Sequence, residues 1–493
     1  MPIRQESIIS AVDRANDILN FNIHNTIIQC ESAKKIINDN KSLTKAEKKE
    51  AIKIINQHYD NYKIVYNEGT RRICENCQEE CLATLYCEIC IRNNLKSKFS
   101  EWTSGNDNID NLIQNCQIES LSPDKIIEWI PYNNLKNIKK LTEGGCSEIY
   151  TANWIGGSYN EWDSNKRKLK RFGTHKVILK TLENIENANR SWFDEAKSHL
   201  TISNKWSNIV KCYGLTQDIK DIKDKKYMLV MYAMSMDLRS YLQENHDKLT
   251  WEERIVIIYD IIIALYRIHK ENTIHRDLHS GNMLYLKSEN IWCISDLGFC
   301  GPAEIPLKSI YGNLSYVAPE VITEKKQSFA SDIYSIGMLM WEISSSQPPF
   351  INYEHNYDFA MKIVNGMRPQ ILSGTPLEYR NLMERCWNTD PLKRPDINIL
   401  LKEMQEMKSL RFEKISNDKI NNKNTIKKFF KNINIRQSFK SRKKTVSKIN
   451  KSESRIYLSD YLPHAMEDDD ALYHISNLHP EEQDELEIPD DIF

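Results

Sequence analysis

The sequence predicts an α+β chain. Strand-like and helical stretches both occur, with a helical and cysteine-rich region in front and a charged tail behind. Three observations point that way. The run MLVMYAM, 228–234, has strand length and leads into a connector, whereas 251–269 is a long apolar stretch of helical dimensions. Two Cys-x-x-C pairs interrupt a polar, helical N-terminal third. From about residue 411 the composition turns to Lys, Arg, Asn and Ser, then to Asp and Glu, which cannot build a core.

At 493 residues the chain exceeds one compact core and predicts two or three domains; 40% hydrophobic residues are enough to fill them. The net charge of −1 argues against a whole-molecule polyanion binder, and no DNA partner is expected. Five of the twelve cysteines fall between 74 and 90. That clustering does not suit a disulfide framework and fits a reducing, cytoplasmic compartment. Arg4, Glu6, Asp13, Arg14 and Asp17 break any apolar export signal. The most apolar run, 255–268, is interrupted by Asp260 and Arg267 and is shorter than the ~20 residues of a membrane span.

Residues 1–70 read as a helical region. Thr44-Lys45-Ala46-Glu47 has capping-box spacing, and Ile52, Ile55, Tyr59 and Tyr62 recur on one helical face, as in a stalk or in a small adaptor that binds protein partners. Residues 71–105 form a Cys-rich module. Cys74 and Cys77 make one thiolate knuckle, Cys87 and Cys90 another, and two knuckles close a tetrahedral structural zinc site, with Cys81 spare. Reduced thiols or a redox pair are the alternatives; a redox Cys-x-x-C normally opens a helix in a βαβ setting, which is lacking here. Residues 106–134 read as a linker with a short helical patch around Leu112-Ile113, and Ile126, Ile127, Trp129 and Ile130 as a segment that docks on the next domain.

The chemistry concentrates in 273–298, TIHRDLHSGNMLYLKSENIWCISDLG. Asp277 can orient a hydroxyl and take up its proton. The amide oxygen of Asn282 and the carboxylate of Asp296 are hard ligands suited to magnesium. In order along the chain stand HRDLHSGN (275–282), Asp296-Leu297-Gly298 and Ala318-Pro319-Glu320. This set resembles the eukaryotic protein-kinase family over residues 135–408, and most closely its tyrosine-kinase-like branch. The resemblance implies a bilobal fold with a β-rich small lobe, a mainly helical large lobe and ATP between them.

It also implies site residues. LTEGGCSEIY, 141–150, corresponds to the Gly-rich hairpin, placing Leu141, Gly144, Gly145 and Ile149 at the nucleotide, with Thr142 and Ser147 where the family has glycine. The run 155–174, rich in Lys and Arg, reads as a solvated insertion between strands. Lys180, ending Val-Ile-Leu-Lys, would hold the α- and β-phosphates and pair with Glu195. Met231 takes the gatekeeper place, and backbone groups of Tyr232, Ala233 and Met234 face the adenine. Asp277 is the base, and Asn282 and Asp296 hold magnesium. Asp332 would anchor the catalytic turn, Arg394 would pair with Glu320, and Arg276 would meet a phosphate on Ser309, Tyr311 or Ser315. His279 stands where many serine/threonine kinases carry Lys.

The function this implies is ATP-dependent phosphorylation of protein hydroxyls, serine and threonine ahead of tyrosine, in intracellular signalling. A scaffold that binds nucleotide weakly or not at all is the alternative, drawn from the substituted Gly loop, Leu297 and His279. Residues 409–493 read as a disordered tail, basic then acidic, whose basic half could serve nuclear entry.

Overall fold

The computed structural model describes residue 4, residues 7–12, residue 15, and then 26–143, 147–183, 191–218, 226–287, 291–302 and 312–409. Gly144, Gly145, Ser309, Tyr311 and all but the first residue of the tail 409–493 lie outside the described residues.

Helices α1 (Thr26–Asp39) and α2 (Lys45–Tyr66) pack through Cys30, Ala33 and Ile37 against Ala51, Ile54 and Ile55. The Thr44–Glu47 capping box opens α2, and Arg4 clamps the Glu47 carboxylate at 2.8 and 2.9 Å. The Cys-rich module is a short hairpin, β1 (Arg72–Ile73) with β2 (Glu80–Cys81), followed by α3 (Glu88–Lys96). Buried Asp60 of α2 accepts from Thr84 Oγ1 at 2.7 Å and from the Leu85 N–H at 2.9 Å, so the helical region and the module are fastened together.

Residues 106–134 are packed structure rather than a linker. Asn106 caps α4 (Asp107–Ile118), whose Ile109 and Ile113 are fully buried beside Ile127, Ala196, Leu200 and Leu215. β3 (Glu128–Trp129) then joins the small-lobe sheet, parallel to β9 (Cys212–Gln217). Gly214 permits this: its φ is +146°, and a Cβ there would lie 1.8 Å from the Glu128 carbonyl oxygen.

The six-stranded sheet runs β3-β9-β10-β8-β5-β4, with β4 Leu135–Glu143, β5 Glu148–Trp154, β8 His175–Thr181 and β10 Tyr227–Tyr232. The basic run between β5 and β8 is a hairpin, β6 (Tyr159–Asp163) with β7 (Lys168–Arg171). It is docked rather than solvated. Leu169, Tyr159 and Trp162 pack on Ala83, Ile91, Leu95 and Ile126, and Arg171 forms a pair with Glu128. Helix α5 (Trp192–Ile202) follows β8.

The large lobe is mainly helical. After β11 (Met236–Asp237) come α6 (Leu238–Asn245) and α7 (Trp251–Lys270), the latter opened by a Thr250–Glu253 capping box. Strands β12 (Met283–Leu286) and β13 (Ile291–Ile294) pair antiparallel. α8 (Pro319–Glu324), α9 (Phe329–Ser345), α10 (Tyr357–Val364), α11 (Leu377–Cys386) and a helix over 397–409 complete the lobe. α9 is buried along most of its length and is the centre of the largest apolar cluster. Among the described residues, no helix is long and apolar enough to cross a membrane.

Candidate active site

Lys180, next to last in β8, lies opposite Ile149 of β5 and Leu229 of β10, an alignment fixed by antiparallel pairing on both sides. Its Nζ lies 2.9 Å from Glu195 Oε1 on α5 and 2.7 Å from Asp296 Oδ1. Lys180 and Glu195 are buried, so their charges meet in a poorly screened place. Asp296 has a left-handed backbone, φ 49°, and its Oδ1 also accepts the Gly298 N–H at 3.1 Å. That turn aims the carboxylate back at the lysine.

The turn over residues 275–277 is held from below. Asp332, at the start of α9, accepts the backbone N–H of His275 at 2.8 Å and of Arg276 at 2.9 Å, and its Oδ2 lies 2.9 Å from His269 Nε2. This stabilises the positive φ of Arg276, 73°, a conformation that costs energy for a residue with a Cβ. The turn projects Asp277. Asn282 Nδ2 donates to the Asp277 carbonyl oxygen at 2.9 Å and to its Oδ2 at 3.1 Å. The amide's donor end is thereby committed, and its oxygen is the end left to serve a cation. Gly312 approaches from the other side; a Cβ there would lie 2.9 Å from Asp277 Oδ1.

His279 Nδ1 accepts the Gly281 N–H at 3.2 Å, which assigns the ring proton to Nε2, 3.6 Å from Asp277 Oδ2. Burial pushes the Asp277 pKa up, but the His279 ring overrides it, and the carboxyl is held below its ordinary range despite the opposing charge of Asp296. A base works ionised, so its activity disappears as pH falls through its pKa. His279→Ala is therefore expected to move the acid limb of the kcat/KM profile to higher pH, with the largest loss of rate at low pH. A profile identical to that of the native chain would show that His279 does not tune Asp277.

The sequence positions 135–404 match the family model described as protein tyrosine and serine/threonine kinase, which is more than half of the chain. The chain belongs to the protein tyrosine and serine/threonine kinase family. It is 24% identical over 302 residues to a probable serine/threonine-protein kinase of Dictyostelium discoideum, covering 58% of this chain and 16% of that protein. Over 243 residues it is 30% identical to a dual serine/threonine and tyrosine protein kinase of Danio rerio, covering 48% and 27%. A dual specificity protein kinase of Dictyostelium discoideum is 30% identical over 204 residues, covering 38% and 26%. The chain thus spans about a quarter or less of the length of these curated relatives.

In this kinase domain the structure brings Lys180, Glu195 and Asp296 together, with Asp277 and Asn282 in direct contact nearby. Met231, Ala233 and Met234 are buried and Tyr232 half-buried where β10 leaves the small lobe; Leu141 and Ile149 are half-buried on β4 and β5. The Arg276 guanidinium donates to the carbonyl oxygens of Phe299 at 3.2 Å and Pro302 at 2.7 Å. Ser315 sits in a 3-10 turn, 3% exposed and 3.2 Å from His355 Nε2, so a phosphate could reach it only after that turn opens.

Two contributors escaped sequence reasoning. His199, four residues after Glu195 on the same face of α5, accepts the Leu297 N–H through Nε2 at 3.2 Å and ties the helix to the Asp296 turn. Tyr316 donates to buried Glu342 at 2.6 Å beneath Ser280. The i,i+4 spacing was the available signal for His199; nothing local marked Tyr316.

The four module cysteines also converge. Sγ of Cys74 and Cys90 lie 3.7 Å apart, as do those of Cys77 and Cys87, and the four sulfurs lie within 4.8 Å of one another. Backbone N–H groups of Asn76 and Cys90 point at Cys74 and Cys87 Sγ, each at 3.4 Å.

Proposed function

We propose that the chain is an ATP-dependent protein kinase of the tyrosine-kinase-like branch, phosphorylating serine and threonine ahead of tyrosine in intracellular signalling. The observation that carries this is the single ammonium of Lys180 bridging Glu195 and Asp296, with Asp277 and Asn282 beside them. Lys180, fixed by Glu195, holds the α- and β-phosphates. Leu141, Ile149 and Met231 enclose the base, and backbone groups of Tyr232 to Met234 bond it. Asp277 orients the acceptor hydroxyl and receives its proton, with His279 lowering its pKa further. Asn282 offers an amide oxygen and Asp296 a half-exposed carboxylate, a donor set suited to magnesium. When bound, magnesium neutralises charge on the phosphates.

Against a non-catalytic scaffold stands the intact proton- and metal-handling set. The test is incubation of the purified chain with ATP, magnesium and generic protein substrates, followed by mass spectrometry of the modified residues. Phosphoserine and phosphothreonine in excess of phosphotyrosine are expected. Absence of any transferred phosphate would support the scaffold.

The Cys-rich module fits zinc. A tetrahedron with bonds of about 2.3 Å has sulfur–sulfur edges of about 3.8 Å, and the pairs stand at 3.7 Å. Four thiolates would fill the coordination sphere, so the role is structural. Cys74, Cys77, Cys87 and Cys90 are the ligands. Metal analysis should find about one zinc per chain, falling to nearly none in Cys87→Ser; a metal-free native chain would reject the site. The module and the N-terminal helices serve as a protein-binding platform in the cytoplasm.

A further inference from the structure

A cleft of about 730 Å³ lies between α2 and the back of the large lobe. Its walls are aromatic: Tyr59, Tyr62 and Tyr66 on α2, and Trp206, Tyr259 and Tyr266 on the lobe. Its charge is one-sided. Lys125, Lys205, Arg267 and Lys270 line it against a single carboxylate, Glu271. Glu271 is already engaged by Lys205 at 2.7 Å and by Trp206 Nε1 at 2.9 Å. Arg267 donates to the neutral oxygens of Ser207 and Asn208, and exposed Lys270 lies 5.2 Å from the Tyr266 ring. Among the described residues no carboxylate pairs with Arg267 or Lys270. Held cations beside flat apolar walls suit an acidic peptide that also carries aromatic or aliphatic side chains.

The chain contains such a segment. Residues 456–493 hold twelve Asp and Glu and no Lys or Arg, and Tyr457, Leu458, Tyr461 and Leu462 precede the Glu467-Asp468-Asp469-Asp470 run. The described chain also ends beside the cleft. The 397–409 helix contributes Leu401 to the cleft wall, and Lys408 Nζ lies 4.4 Å from the ring of Tyr259. A random coil as long as the intervening residues 410–455 has an end-to-end distance of roughly 40 Å, enough to return a later segment to the cleft at high effective concentration.

We propose that the acidic segment around 457–470 docks in this cleft and clamps the N-terminal helices to the large lobe. The basic residues 411–455 compete for the same carboxylates. They offer charge alone, whereas the cleft offers preorganised cations and aromatic area, which lowers the ordering cost of binding. Docking would bear on Lys270 and Glu271, next to His269, whose ring contacts Asp332 under the catalytic turn.

The test uses the full chain and a carbodiimide, which couples carboxylates directly to amines, with mass-spectrometric reading of the linked residues. Links from 467–470 to Lys270 or Lys205 are expected. The link to Lys205 should fall about tenfold in Lys270→Glu, a change on the scale of losing one close charge pair. Combining Lys270→Glu with Asp468→Lys should restore a link of opposite polarity. As a second measurement that leaves the described fold untouched, Glu467→Gln with Asp468→Asn, Asp469→Asn and Asp470→Asn should raise hydrogen exchange in α2 and α7. Acidic residues linked only to lysines of 411–455 or to a second chain, or unchanged exchange in the neutralised variant, would overturn the proposal.

Discussion

Asp277→Asn is expected to lower the rate of phosphoryl transfer by roughly 10²–10⁴-fold, the usual contribution of a positioned general base. Asn is nearly the same shape, and its amide oxygen can still accept from Asn282 Nδ2, which now donates at 3.1 Å to Oδ2 and at 2.9 Å to the backbone carbonyl. The turn itself is held by Asp332 through backbone N–H groups, which the substitution does not touch. What is lost is the capacity to take a proton. Nucleotide affinity should therefore survive, because the Lys180–Asp296 contact at 2.7 Å is unaltered. Single-turnover kinetics with saturating ATP would show the loss in the chemical step; an unchanged rate would remove Asp277 from the role of base.

Arg394→Ala is expected to destabilise the large lobe by roughly 3–5 kcal/mol, as when one partner of a buried pair is removed. Arg394 is fully buried at its side chain and holds Glu320 bidentately at 2.6 and 2.7 Å. It also donates to the carbonyl oxygens of Asn388 and Ala330, both at 2.8 Å. Truncation strands a carboxylate and two acceptors at once. The measurement is urea unfolding of the single variant and of Arg394→Met combined with Glu320→Leu. The double variant should recover part of the loss, since it leaves no unpaired charge. A single variant within about 1 kcal/mol of the native chain would mean that the pair contributes little.

Much of the candidate site's geometry was legible because its residues stand in short motifs rather than depending on packing alone. His275 to Asn282 and Asp296 to Gly298 lie in short contiguous runs. Lys180 and Asp296 are 116 positions apart, yet each belongs to a recognisable run, so their meeting could be expected without a contact map. Helix α4 was legible only as a short helical patch in a linker, and the β6–β7 hairpin only as an insertion between strands. α4 is short and mostly polar on its outer face, and only Ile109, Ile113 and Gln117 are buried. Its place in the small-lobe core depends on Ile127 and on Ala196 and Leu200, the last two distant in sequence. In the hairpin Lys166, Arg167, Lys168, Lys170 and Arg171 are exposed while Leu169, Tyr159 and Trp162 carry the packing, and composition alone reads such a run as solvent-facing. His199 is a third case. A histidine on a helix face acquires meaning only when the Leu297 N–H is brought to it.

The central claim is that Lys180, Asn282 and Asp296 converge on one Mg·ATP, with Asp277 left to the acceptor hydroxyl. Calorimetric titration of ATP, with and without magnesium, into the native chain, Asp277→Asn and Asp296→Asn tests it most directly. Magnesium-dependent binding to the native chain and to Asp277→Asn, with that dependence lost in Asp296→Asn, is the predicted result. Binding that ignores magnesium in the native chain, or that keeps its magnesium dependence in Asp296→Asn, would contradict the account.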